Sequence, residues 1–198
     1  WPIKYKELLT LGNLNSNIGV VCHWTRKDLI AEGLDKNTYA VVGQLYSRDL
    51  GVSCIIRNVL AHPYLDCLIL CGNEGTIEET KSSQALLNLL NNGVDENHFI
   101  IGSGRARIEK EIPIEKVELF RSRVKVVDLI GENDPSKIQQ AVSEHFKEGL
   151  GQYETFIFPE PQKTDNLELP SERAVFVVRR GKVAECWIDI LKNIMLFG

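Results

Sequence analysis

The run Leu65–Gly75, Leu-Asp-Cys-Leu-Ile-Leu-Cys-Gly-Asn-Glu-Gly, constrains the fold of this chain more than any other stretch. An apolar segment of strand length ends in a glycine-bracketed polar turn, and a helical pattern, Thr76–Asn92, follows directly. Strand, glycine turn and helix in that order form the edge at which open α/β sheets bind ligands. The sequence therefore predicts a binding rim at Gly72, Asn73 and Glu74.

The same alternation extends on either side. Ile18–Cys22 reads as a short buried strand after the polar turn Asn13–Asn17, and Tyr39–Leu45 is ambiguous between a strand and the start of a helix. Val52–Leu60 reads as a strand that runs on as helix, stopped by His62-Pro63 because proline restricts the residue before it. In the helix after the glycine turn, Ala85, Leu86, Leu89 and Leu90 share one face, and Asn91-Asn92-Gly93 ends it. His98–Gly102 reads as a short strand. A helix starting near Pro113 carries Val117, Phe120 and Val124; the strand Val124–Ile130 follows. Asp134-Pro135-Ser136 then caps a helix through Phe146, with Ile138, Ala141, Val142 and His145 facing inward.

These elements predict an α/β fold: a Rossmann-like, mostly parallel sheet with helices on both faces. The first domain is expected over residues 1–148. Between Gly149 and Pro170 glycine and proline crowd together, which reads as a linker or a strap. Ala174–Val178 reads as a strand, Arg180-Gly181 as a turn and Val183–Phe197 as an amphipathic helix, so residues 149–198 are expected to lead toward a further domain. The start at Trp1, with Met195 as the sole methionine, reads as a piece excised from something longer.

Composition narrows the function. A formal net charge of -4 argues against nucleic acid, whose phosphates require a clustered basic surface. The one basic cluster, Arg105, Arg107 and Lys110, is interleaved with Glu109 and Glu111 and reads as a solvated loop. No apolar run approaches the ~18 residues of a membrane span. The five cysteines form no zinc-like pair of CxxC units. Their odd count and apolar settings point to a reducing, cytoplasmic compartment.

The candidate chemistry is sparse. His23 stands at the end of the first strand, where it reads either as a hydrogen-bonded rim residue or as a group for metal ligation or proton transfer. Gly102-Ser103-Gly104 is a lone GxG without the third glycine of a dinucleotide fingerprint. Cys71 is either a buried thiol or, at a strand end, a reactive one. Glu74, Glu78 and Glu79 complement the positive end of the following helix, and Glu74 is also placed to meet a ligand. The candidate ligand-contacting set is His23, Gly72, Asn73, Glu74, Gly102, Ser103 and Gly104, with no catalytic residue and no metal ligand assigned.

At Asp49-Leu50-Gly51, Asn58, Leu68-Ile69-Leu70-Cys71-Gly72, Gln84, Asn92-Gly93-Val94-Asp95, Ile100-Ile101-Gly102, Phe120-Arg121 and Val126–Ile130, the chain resembles the soluble domain of the A subunit of tetrahydromethanopterin S-methyltransferase. The resemblance covers about residues 1–145 and includes the Trp1-Pro2 start. It implies a Rossmann-like fold with a cobamide at the C-terminal rim and one histidine as the lower axial cobalt ligand. In that family the histidine lies between the Cys-Gly-x-Glu turn and the glutamine of the next helix. Here that interval, Gly75–Ser83, contains no histidine and is slightly longer.

Residues Trp187–Gly198 are similar to the opening helix of thymidylate synthases, and Pro159-Glu160-Pro161 with Phe176–Arg179 resemble the connector before such a domain. Three expectations follow from the two resemblances. One is an accessory domain that has lost the cobalt ligand, is attached to a thymidylate synthase-like domain or partner subunit, and either holds a pterin, a folate-like compound or another small molecule or serves as a docking surface. Another is an active corrinoid methyl carrier with cobalt base-off or ligated by His23. The last is a structural interaction domain. None involves nucleic acid or a membrane.

Overall fold

The computed structural model describes residues 1–74, 81–149 and 151–161 throughout, and residues 175–179, 182–189 and 194–197 as backbone. Two compact units result, Trp1–Pro161 and Gln162–Gly198.

The first unit is built on a five-stranded sheet. Strands β1 (Thr10–Leu11), β2 (Ile18–Val21), β3 (Val41–Gly43), β4 (Cys67–Gly72) and β5 (Lys125–Ile130) lie in the order β1-β3-β2-β4-β5. All neighbours are parallel except β1 and β3. Helices α1 (Lys27–Ala31), α2 (Leu50–Leu60), α3 (Ser82–Asn92), α4 (Ile114–Arg123) and α5 (Pro135–His145) supply the connections. The α/β, mostly parallel architecture expected from the alternating pattern is therefore present.

Alternation along the strands divides the core into two layers. Leu68 and Leu70 of β4 pack with Val52, Ile56 and Leu60 of α2, Leu86 and Leu89 of α3, and Val117 and Phe120 of α4. Cys67, Ile69 and Cys71 face the other way, toward Ile30 of α1 and Ile138 and Val142 of α5. Such two-sided burial explains why β4 is apolar throughout, with all six residues buried.

Two local expectations are corrected, and a third is seen only in part. Residues 52–60 form helix α2 from Leu50, not a strand, because Val52, Ile56, Val59 and Leu60 recur at helical spacing and are all buried. Their β-branched character is overridden by that packing. His98–Gly102 forms no strand: only isolated bridges, Val94 to Ile100 and Phe99 to Arg107, occur in the loop 93–112. There Asp95 Oδ1 accepts from Asn97 N and Phe99 N, a local turn that competes with strand pairing. The helix expected over Thr76–Asn92 is seen from Ser82 onward; residues 75–80 lie outside those described.

The segment 151–161 runs as a strap against α2 and its C-terminal end. Tyr153 N donates to Pro63 O at 2.7 Å and Phe156 N to Leu60 O at 2.9 Å. Arg57 anchors the far end: its Nη1 and Nη2 donate to the carbonyls of Phe158 and Pro159, while its Nε donates to Glu109 Oε2 at 2.6 Å.

The second unit is a three-stranded antiparallel sheet of β6 (Val175–Arg179), β7 (Lys182–Asp189) and β8 (Ile194–Phe197). The helix expected over Val183–Phe197 is thus corrected to two strands. Val183, Trp187, Ile188, Ile194 and Phe197 are strand-favouring residues, and a short apolar run fits either period. The strand expected at Ala174–Val178 is present as β6, and the Arg180-Gly181 turn lies outside the described residues.

Candidate functional site

Parallel β2, β3, β4 and β5 all point their C-terminal ends toward one edge, and the loops leaving them form a rim. Gly72 closes β4 with φ of 79°, and a Cβ there would stand 2.2 Å from Cys22 O. Only glycine permits that approach of two strand ends, so Gly72 serves the backbone here. Asn73 continues the closure: its backbone N donates to Thr25 Oγ1 at 2.9 Å, and its Oδ1 accepts from Asn133 Nδ2 at 2.8 Å. Thr25 Oγ1 donates in turn to Asn133 Oδ1.

His23 follows β2 with a left-handed φ of 43°, and its side chain is 0% exposed. Its Nδ1 lies 3.0 Å from Glu74 Oε1, yet neither ring nitrogen has an aligned hydrogen-bond partner among the described residues. The contact is therefore electrostatic. Burial pulls the imidazole below its ordinary pKa, while Glu74 and Asp128 act against that shift. Glu74 Oε1 also accepts from Ser83 N at 3.0 Å, so this carboxylate joins the end of β4 to the first turn of α3. Its Oε2 is buried without a hydrogen-bond partner among the described residues. A strained backbone, an imidazole and a carboxylate with unused polar atoms thus meet at one point of the rim.

Beside this point lies a cleft of about 490 Å³, lined by Arg48, Lys81, Gln84, Asn88 and the loop Gly102–Arg105. Asn88 Nδ2 donates to Gly102 O at 2.8 Å and to Ser103 Oγ at 3.0 Å, which holds the loop against α3. Gln84 Nε2 donates to Asn88 Oδ1 at 2.9 Å.

The candidate residues therefore fall into two neighbouring groups. His23, Gly72, Asn73 and Glu74 cluster at the ends of β2 and β4, while Gly102, Ser103 and Gly104 form one wall of the cleft. Arg48, Lys81, Asn88 and Arg105 were not among them. The sequence signal for Asn88 was its place with Gln84, at i, i+4, on the helix face away from Ala85, Leu86 and Leu89; nothing local marked Arg48.

The remaining groups sit elsewhere. Nδ1 of His62 accepts from Tyr64 N and Leu65 N at the opposite edge of the sheet. At the end of α5, His145 Nδ1 lies 2.9 Å from Ala141 O; His98 belongs to the loop 93–112. Among the described residues no histidine lines the cleft. Cys71 is fully buried beside Cys22, and their mutual hydrogen bond, with burial, pushes the Cys22 thiol far up. Among the described residues no three His, Cys, Asp or Glu side chains converge as metal ligands, and no helix is long and apolar enough to cross a membrane.

A family model for the A subunit of tetrahydromethanopterin S-methyltransferase matches residues 1–158. The A subunit of that enzyme from Methanosphaera stadtmanae is 27% identical over 158 residues, covering 78% of this chain and 60% of that protein. Its counterpart in Methanocaldococcus jannaschii is 33% identical over 149 residues, 73% of this chain and 58% of the relative. The A subunit of a putative methyltransferase, Mtx, from Methanosarcina acetivorans is 32% identical over 151 residues, 75% of this chain and 72% of the relative. The chain thus spans about three fifths of the length of the first two relatives. With the match running from Trp1 through nearly all of the first unit, the chain belongs to the family of tetrahydromethanopterin S-methyltransferase A subunits.

Proposed function

We propose that this chain is a ligand-holding domain, not catalytic alone, whose rim takes up a small molecule in the service of one-carbon transfer without an imidazole–cobalt bond. The cleft beside α3 carries this reading: its volume of about 490 Å³ lies in the range of small-molecule sites, and its walls are polar and fixed by hydrogen bonds. The methyl-transfer setting comes from the names of the relatives.

The residues present do not fit a histidine-ligated cobamide. The interval Gly75–Ser83 contains no histidine, none lines the cleft among the described residues, and the His23 ring at the rim is wholly buried. The carboxylates and lysine of that interval are poor substitutes for imidazole at cobalt. The proposed attachment to a thymidylate synthase-like domain is supported by residue likeness at 187–198, without the helix that likeness implies, and the coding sequence past Gly198 tests it.

Titration with hydroxocobalamin, followed by its visible spectrum, tests the central reading. The expected result is no nitrogen-ligated cobalt spectrum. A nitrogen-ligated spectrum that disappears in His23→Gln would overturn it. Equilibrium dialysis against a reduced pterin supplies the positive arm, with retention expected to fall in Asn88→Ala.

A further inference from the structure

Two aromatic rings at the rim stand outside the packing of the domain. Trp24 and Tyr46 are 52% and 51% exposed, yet their ring centroids lie 4.9 Å apart at an interplanar angle of 64°. They come from different strand ends, Trp24 from the turn after β2 and Tyr46 from the loop after β3. Neither belongs to either layer of the core. Trp1 shows how a tryptophan is used for structure in the same unit: it packs against the core, and its Nε1 donates to Asn58 O at 2.6 Å.

The backbone sends both rings outward and holds them there. The left-handed φ of 43° at His23 turns the chain between a buried imidazole and the exposed Trp24. Trp24 N then donates to Asn73 O, and Thr25 N to Cys22 O, both at 3.0 Å. In the loop after β3, Leu45 is buried and Tyr46 faces out. Gln44 Nε2 donates to Thr25 O at 2.8 Å and so joins that loop to the turn bearing Trp24. The pair is therefore arranged before anything binds, which lowers the ordering cost of a ligand. An edge-to-face contact takes up one face of one ring and leaves the other faces open.

Size decides what such a pair accepts. The two half-exposed rings offer roughly 200 Å² together, whereas a stable protein interface takes about 800 Å² from each partner. A small molecule matches that area. Position agrees, because the rings stand at the open end of a parallel sheet, and Arg48, which lines the rim cleft, follows Tyr46 closely in the chain. A flat conjugated ring covers an aromatic face by offset stacking, while a puckered saturated ring meets it with only a few atoms.

We propose that Trp24 and Tyr46 form a stacking site for a planar conjugated ring of the small molecule held at the rim. This rests on the rim-binding reading and names one chemical part of its ligand.

Titrations of the whole chain with 2-naphthol and with 2-decalol, followed by NMR, test the inference. The two compounds share a fused two-ring skeleton and a hydroxyl, but only the first is flat and conjugated. With 2-naphthol the Trp24 indole N–H resonance should move upfield and saturate, and 2-decalol should bind at least tenfold more weakly. Trp24→Leu should weaken 2-naphthol about tenfold, and Trp24→Phe should restore most of the affinity. Ile157→Ala, which trims a side chain 75% exposed on the strap, should change nothing. Equal binding of the two compounds, or equal losses in Trp24→Leu and Ile157→Ala, would overturn the proposal. So would translational diffusion that slows with protein concentration in the parent chain but not in Trp24→Leu, which would assign the rings to a contact between copies. Pterin retention that falls in Asn88→Ala yet is untouched by Trp24→Leu would remove the stacking site and leave the rim-binding reading standing. The failure of that reading appears instead in the cobalt spectrum.

Discussion

The two edges of the sheet use polar side chains for opposite ends. At the N-terminal edge, polar groups are consumed in joining distant segments. Asn17 Nδ2 donates to Asp66 Oδ1, Tyr153 Oη donates to Asp66 Oδ2, and Lys147 N donates to Asn17 Oδ1. The Arg123 guanidinium donates through Nη2 to His62 O and lies 4.1 Å over the Tyr153 ring, while its Nε and Nη1 are buried without a hydrogen-bond partner among the described residues. At the C-terminal rim, by contrast, a buried imidazole and a carboxylate, His23 and Glu74, face each other 3.0 Å apart without an aligned hydrogen bond, and a larger cleft, about 490 Å³ against about 250 Å³, stays open beside them. Buried polar groups that are satisfied rigidify a fold, whereas unsatisfied ones are tolerated mainly where function needs them. The contrast implies that substitutions along the strap and N-terminal edge register as stability and those at the rim as binding.

The sharpest way to break this contrast is Arg57→Ala. Arg57 is 1% exposed, and its loss leaves Glu109 half-buried and unpaired and two strap carbonyls without donors. Removing one member of such a pair costs about 3–5 kcal/mol. Urea unfolding should show that loss, with faster proteolysis within 151–161. A midpoint unchanged from the parent chain would mean the strap is not held as described.

The pH dependence sharpens the same side. Burial and the neighbouring Arg123 guanidinium push His62 down to about 4 from an ordinary 6.5. Its Nδ1 accepts two backbone N–H groups and so must stay unprotonated in the folded chain. Above pH 6.5 both folded and unfolded states are neutral at this residue, and stability is full. As pH falls from 6.5 toward 4, the unfolded state takes up a proton that the folded state refuses, and stability drops by about 2 kcal/mol at pH 5. In His62→Asn, whose Oδ1 can accept the same N–H groups, the difference between neutral pH and about pH 5 should shrink by that amount. Buried His23 contributes in the same direction and remains in the variant.

The unequal roles of the edges also explain what the sequence revealed. β4 and its glycine turn were legible because burial on both faces demands an unbroken apolar run, and because Gly72 ends it abruptly. The rim residues of that turn were legible with it. Helix α2 was misread because Val52, Ile55, Ile56 and Val59 are β-branched, and only contact with α3 and α4 decides their conformation. Arg48 and Arg105 were illegible as site residues because they lie far apart in sequence and converge on one cleft only through the packing of α2, α3 and the loop 93–112. Arg105 on its own looks like a solvated loop charge. The strap's tie to Arg57 was hidden for the same reason: about a hundred residues separate donor and acceptor.

At the rim, Gly72→Ala probes the backbone. The added Cβ meets Cys22 O at 2.2 Å, and the left-handed conformation adds strain of about 1–3 kcal/mol. Unlike other rim substitutions, this one should lower the thermal midpoint, because it separates β2 from β4 and cannot be relieved by moving a side chain. Equal stability of parent and variant would show that these strand ends do not approach as closely as the φ of Gly72 requires.

The smallest effect is expected for Thr25→Val, and it decides whether the contrast between edges is real. Thr25 Oγ1 accepts from Asn73 N and donates to Asn133 Oδ1, joining the loops after β2, β4 and β5. The groups are exposed, so water replaces what the hydroxyl supplied, and the loss in unfolding free energy should be about 1 kcal/mol or less. Asn73 O still accepts from Trp24 N, which keeps the loops in register. Ligand retention should fall more than stability, because loops that position His23, Glu74 and the cleft lose a common tether. If Thr25→Val cost as much stability as Arg57→Ala, the rim would be as much a structural joint as the opposite edge, and the division of labour between them would fail.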